Sequence, residues 1–171
     1  MVKTKPVSLK ILGIDPGLET VGWGMISSDG QDHQCLAGGI ISTSKDDVIS
    51  RRLAIIHQRL LEIIDEFQPE IISMEKLFFF KNITSGIQVA QAQGVLMLAC
   101  QQKNLEIVEY TPLQVKLTMT GYGRATKAQI KTEVQKALNL PDKIKNDNHA
   151  DGLAVALTHS IKSYQAVVSK K

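Results

Sequence analysis

No stretch of this chain approaches the roughly eighteen consecutive apolar residues that a membrane-spanning helix needs, so that class is excluded on length. The first ten residues, MVKTKPVSLK, carry lysines, but the apolar run after them is short and ends at Asp15; the apolar core and cleavage site of a secretory leader are missing. Cysteine is scarce. Cys35 and Cys100 form no CxxC pair and no Cys/His cluster, which argues against a zinc site and leaves two buried free thiols in a reducing compartment as the expectation. Together these absences predict a cytoplasmic protein with no membrane partner. A strong charge of one sign is also lacking: the formal net charge of +3 is compatible with a polyanionic partner and too small to demonstrate one. There is no repeat or low-complexity segment, and 171 residues at 43% hydrophobic content supply one ordinary core. One domain over 1–171 is expected, with frayed ends at about 1–8 and 166–171.

What is present is a change of period along the chain. Three extended segments, roughly 9–15, 20–28 and 34–43, are separated by the turn-forming DPG and SSDG stretches and suggest an antiparallel meander. From Asp46 to Phe67 the spacing becomes helical. Leu53, Ile56, Leu60, Ile63 and Ile64 form one apolar face, with Arg51, Arg52, Arg59 and Glu62 assigned mostly elsewhere. Pro69 ends this helix. Glu70 to Glu75 (EIISME) reads as a short buried strand, 82–102 as a long helix, and Leu105 to Tyr110 (LEIVEY) as another strand. Thr111-Pro112 is a helix start, Thr126 and Gln129 fit a capping box opening a helix through about Leu138, and a last helix spans about 148–164. The order is read as β-β-β-α-β-α-β-α-α: an α/β fold, a mixed five-stranded sheet flanked by helices in the ribonuclease H-like arrangement.

Three acids stand out by position. Asp15 ends the first strand, Glu75 ends the fourth, and Asp151 lies in the first turns of the last helix. Taken singly, each is explained as a turn former, a solvated strand end or a helix-start acid. Taken together, with strands one and four as neighbours and a helix packed over their ends, they form a cluster that would repel itself unless a cation neutralised it. Hard divalent ions with oxygen ligands are the natural solution. Two such ions about 3.5–4 Å apart are a recurrent device for phosphodiester hydrolysis.

The stretches ILGIDPGLETVGWGMI, ISMEKLFFFKN, AQAQGVLMLA, VEYTPLQVK and HADGLAVALTH, in this order over about residues 10–162, resemble the motifs of the RuvC family of Holliday-junction resolvases. The resemblance implies a homodimeric, Mg²⁺-dependent endodeoxyribonuclease, with Mn²⁺ able to substitute and two ions per site. Its substrate would be four-way junction DNA, and a branch-migration complex of the RuvA-RuvB type stands open as a partner. Carried over by position, Asp15, Glu75 and Asp151 match metal ligands. The fourth ligand, three residues before the last acid, falls on Asn148, where the family commonly has Asp. Asp147 and His149 flank it. At about 100° per residue, Asp147 lies about 40° from Asp151 around the helix axis, Asn148 about 60° to the other side and His149 nearly opposite. Asp147 or Asn148 therefore completes the site more readily than His149. An Asn oxygen brings no charge and would hold a second ion more weakly.

Lys116 and Lys127 match basic residues beside the scissile phosphate, and Arg124 and Lys81 are candidate DNA contacts. Phe78 matches an aromatic that stacks on bases opened at the crossover, with Phe79 and Phe80 assigned to core or interface. Along the long helix, Ile83, Ile87, Ala90, Gly94 and Leu98 form a stripe of apolar and small residues that either packs on its own sheet or, as the resemblance implies, forms a two-fold dimer interface. The strand-turn-strand opening also resembles that of actin-like sugar kinases, but one lobe of this length has no room for their second lobe. Two alternatives stay open: a ribonuclease H-like nuclease acting on RNA or non-junction DNA, and a catalytically weak junction binder.

Overall fold

The computed structural model describes residues 8–77, 83–141 and 144–169. Alternation along the first strand decides the architecture. In β1 (Leu9–Asp15), Leu12 and Ile14 enter one apolar cluster and Ile11 enters another, so this strand is covered on both faces and sits centrally. β2 (Thr20–Ser28) pairs with it antiparallel, and β3 (His33–Ser42) pairs antiparallel with β2. On its other side β4 (Ile71–Glu75) runs parallel, followed by β5 (Glu106–Tyr110), giving the sheet order β3-β2-β1-β4-β5. α1 (Ile49–Phe67) and α2 (Ile83–Gln102) pack on the Leu12 and Ile14 face. α3 (Pro112–Thr120), α4 (Lys127–Ala137) and α5 (Asp147–Val168) pack on the other. The mixed five-stranded sheet flanked by helices is the one expected.

Three helices follow β5, at the three places read from the sequence, although the element order counted only two. Gly121, in the left-handed region at φ 71°, ends α3, and a second capping box, Thr126 with Gln129, restarts the chain as α4; each such cap is worth about 1 kcal/mol. Asn146 caps α5 by accepting hydrogen bonds from the N–H groups of Asn148 and His149. That helix continues to Val168, inside the end expected to fray, while 1–7 and 170–171 lie outside the described residues.

Two further expectations need correction. Arg52 is buried, in line with Ile56 and Leu60 at four-residue steps along α1, not on a polar face. Cys100 is buried among α1 and α2, its thiol pushed up to about 12 by burial, but Cys35 on β3 is only half-buried. On α2 the buried side is Ala92, Leu96, Ala99 and Cys100, whereas Ile87 and Leu98 are exposed and nothing lies within 4 Å of a Cβ built on Gly94. Packing on its own sheet therefore does not account for that stripe. Among the described residues no helix is long and apolar enough to cross a membrane.

Candidate active site

The period of two along adjacent strands aims both strand-end acids the same way. Ile11 in β1 faces α5, and a Cβ on Gly13 would run into the Gly152 carbonyl of that helix; Asp15, the next residue in phase, follows them. In β4 the Ser73 hydroxyl donates to the Val155 carbonyl of α5 at 2.7 Å, so Glu75, two residues on, also lies on the α5 side. Parallel pairing of Ile14 with Met74 sets the two acids side by side at the carboxyl ends of the central strands. The first turns of α5 bring Asp151 over this rim, because strand glycines permit close approach: Gly22 lies under the Asn148 backbone and Gly24 under Leu153.

The result is one cavity of about 290 Å³ lined by Asp15, Glu75, Asp151, Lys116 and Lys127, with an apolar wall of Pro112, Val115, Ala125, Ile130 and Ala154. The Lys127 ammonium donates to Asp151 Oδ2 at 2.7 Å, and the Asp151 side chain is only 17% exposed. Burial, then repulsion from Asp151, pushes the Asp15 carboxyl up to about 7, against the opposing pull of Lys127. Burial, then Asp15 and Asp151, pushes Glu75 up to about 8. The hydrogen bond to Asp151 holds the Lys127 ammonium above its usual range. Carboxylates that burial and mutual repulsion hold against ionisation, gathered as oxygen donors around one cavity, fit a hard divalent ion. Among the described residues no three Asp, Glu, His or Cys side chains stand close enough together to hold a metal ion, and the Lys127 ammonium occupies one Asp151 oxygen.

The family model described as "Crossover junction endodeoxyribonuclease RuvC" matches residues 11–159. The chain belongs to the RuvC family. The RuvC of Natranaerobius thermophilus is 46% identical over 150 residues, covering 88% of this chain and 93% of the relative, and that of Finegoldia magna is 44% identical over 151 residues, covering 88% and 92%. Among solved structures, Thermus thermophilus RuvC in complex with Holliday junction substrate aligns at a TM-score of 0.87 and 30% identity, over 92% of this chain and 96% of that one. The five-stranded sheet and its helices are thus the ribonuclease H-like fold of RuvC.

The remaining residues singled out by the RuvC resemblance do not all reach the cavity. Asn148 lines a neighbouring cavity beyond the Asp-Pro-Gly turn, with Gly17 and Thr20. Asp147 is bound to Lys131 at 2.9 Å, with its own side chain 59% exposed, and that pairing holds its carboxyl below the usual range. His149 points the other way: its imidazole fills the space over Gly38 of β3, and its Nε2 is buried without a partner among the described residues. Arg124 is exposed, next to the lining residue Ala125. Phe78, Phe79, Phe80 and Lys81 lie outside the described residues. Sequence reasoning missed the Lys127–Asp151 pair, which joins positions 24 apart, and the burial of Arg52, which its four-residue spacing from Ile56 signals.

Proposed function

We propose that this chain is a divalent-metal-dependent endonuclease that cuts four-way DNA junctions by paired symmetric nicks, acting as a homodimer. The observation that supports this reading best is the single cavity joining three acids from two strand ends and a helix with two lysines, in a RuvC fold. Asp15, Glu75 and Asp151 would hold the metal, read as two Mg²⁺ ions for which Mn²⁺ substitutes. When bound, such ions supply an activated water and neutralise charge on the phosphodiester.

The chain's own residues do the rest. Asp15 and Glu75 must surrender the protons that burial favours, so metal loading releases protons and strengthens as pH rises. Lys127 keeps its proton and exchanges Asp151 for the incoming phosphate, and Lys116, on the Glu75 side, adds a second cation. The wall of Pro112, Val115 and Ile130 limits water around these charges, which strengthens each interaction. The exposed Ile87, Gly94 and Leu98 on α2 offer a surface for a second copy, and a two-fold dimer suits a substrate with two equivalent strands.

The test is incubation of a labelled mobile four-way junction with Mg²⁺ or Mn²⁺, beside a linear duplex and an RNA-DNA hybrid. Paired nicks at symmetric positions in the junction alone are expected. Cutting of the hybrid would move the protein to another branch of the fold, and tight binding without nicks at any metal concentration would leave a binder only.

The fourth ligand yields a separate prediction. Asn148 lines the neighbouring cavity and not that of the three acids, so Asn148→Asp should leave the Mg²⁺ concentration for half-maximal cleavage within about twofold of the wild type. Asp147→Ala, whose partner is Lys131, should stay within about twofold of the wild type. A Mg²⁺ requirement that falls clearly in Asn148→Asp would show that this side chain turns into the acid cavity when metal binds, and one that rises in Asp147→Ala would make Asp147 the ligand.

A further inference from the structure

Arg52 carries its charge at the end of a largely buried side chain. The residue is 9% exposed, and among the described residues no carboxylate pairs with it. Its Nε–H donates to Thr43 Oγ1 at 2.8 Å, and the Thr43 hydroxyl donates in turn to the Leu18 carbonyl at 2.6 Å. This chain fixes the guanidinium plane and leaves the Nη groups without a partner among the described residues. Those Nη groups are not enclosed, because among the described residues only His149 Nε2 is a buried side-chain nitrogen or oxygen without a partner; they face a cavity from which an anion can reach them.

The side chain lines a cavity of about 490 Å³, with Lys45, Gln88 and Asn148 around it. Glu19 is the one carboxylate in that lining; it is largely solvated and bridges Lys45 at 3.3 Å. Two cations against one acid leave the wall positive. α1 begins nearby with no side-chain cap and no acid in its first turn, although Asp47, just before its N-cap, pairs with Arg51 at 3.5 Å. Gly17 places this cavity two residues beyond Asp15, across the turn from the three acids.

We propose that this second cavity seats a backbone phosphate of the bound DNA, with Arg52 as its forked contact and Lys45 as the supporting charge. Guanidinium geometry matches two phosphate oxygens, and a pre-fixed plane loses little freedom on binding. The assignment rests on the junction reading and deepens it: the strand is held on both sides of the turn that carries Asp15.

The experiment measures junction binding by the full chain in metal-free buffer, where cleavage is off, across a salt series and with single methylphosphonates scanned along each strand. In Arg52→Gln the slope of log affinity against log salt should be less negative by about 0.9, the share of one phosphate, and affinity should fall about tenfold. At one position per strand the methylphosphonate should weaken the wild type and leave Arg52→Gln unaffected. Thr43→Val, which removes the hydrogen-bond chain and keeps the charge, should retain both the slope and the methylphosphonate response.

An unchanged slope and pattern in Arg52→Gln would overturn the proposal, as would equal losses in Thr43→Val, which would make Arg52 a support for the turn. If millimolar inorganic phosphate raises the melting temperature of the wild type, not of Arg52→Gln, while the slopes agree, the site takes a free anion and the DNA assignment fails. Loss of junction preference over duplex in the wild type would instead sink the junction reading, leaving the Arg52 result legible on duplex.

Discussion

Asp15→Asn should abolish junction cleavage, by at least about a thousandfold, and should at the same time stabilise the metal-free protein. Both effects have one cause. Asp15 is held at about 7, against its ordinary 3.8, by burial first and by Asp151 second, and Glu75 is raised in the same way to about 8. A folded-state pKa above the unfolded value means that the native protein binds protons which the unfolded chain has released. Stability of the metal-free protein should therefore fall as pH rises from about 4 to about 8. Asn carries no charge to desolvate or repel, so Asp15→Asn removes much of that slope. At pH 8 the gain should be on the order of 2 kcal/mol, about 4–8 °C in melting temperature.

Added Mg²⁺ favours the ionised carboxylates and should reverse the wild-type slope, stabilising more at pH 8 than at pH 5, with little effect on Asp15→Asn. Melting curves in EDTA and in Mg²⁺ at the two pH values measure all of this. A variant less stable than the wild type at pH 8 in EDTA would show that Asp15 is a structural residue of its turn and not a strained member of an acid cluster.

The legible and illegible parts of this site divide along physical lines. Asp15 and Glu75 could be read because each ends an apolar run, and a period of two then fixes which face it joins. Asp151 could be read because a helix in this element order must cross that rim. The helical angles that separate Asp147, Asn148 and His149 were also available, but not the identity of what lies on each side of α5. Lys131 in α4 takes Asp147, Gly38 in β3 leaves room for His149, and the cavity past the turn receives Asn148. These partners come from elements distant in sequence, which no local period encodes. Arg52 fails for another reason: a charged residue was placed on a polar face by type, whereas its spacing of four from Ile56 put it on the buried one. The three helices after β5 were legible from their starts, Thr111-Pro112, the Thr126 and Gln129 capping box and the apolar spacing of the last segment; only the count of elements left one out.

Gly152→Ala is expected to damage both the fold and the site. A Cβ there would lie 2.5 Å from the Trp23 carbonyl carbon, 2.6 Å from its Cα and 2.7 Å from its nitrogen. These are backbone atoms of β2, paired on one side to β1 and on the other to β3, so no side chain can swing aside. The strand cannot retreat without breaking its ladder, and α5 must lift instead. Ordinary overpacking costs about 1–3 kcal/mol, and a clash against rigid backbone should reach or exceed the upper end. Lifting α5 also moves Asp151, the adjacent residue, away from Asp15 and Glu75, and a displacement of about 1 Å at a reacting centre costs on the order of a hundredfold in rate. The two effects separate by temperature: well below the melting midpoint the variant should be folded and still cleave about a hundredfold slower than the wild type, with a higher Mg²⁺ requirement. Wild-type cleavage in a protein of unchanged melting temperature would mean that α5 does not rest on β2 through Gly152, and that the position of Asp151 is set by α4 through Lys127 instead.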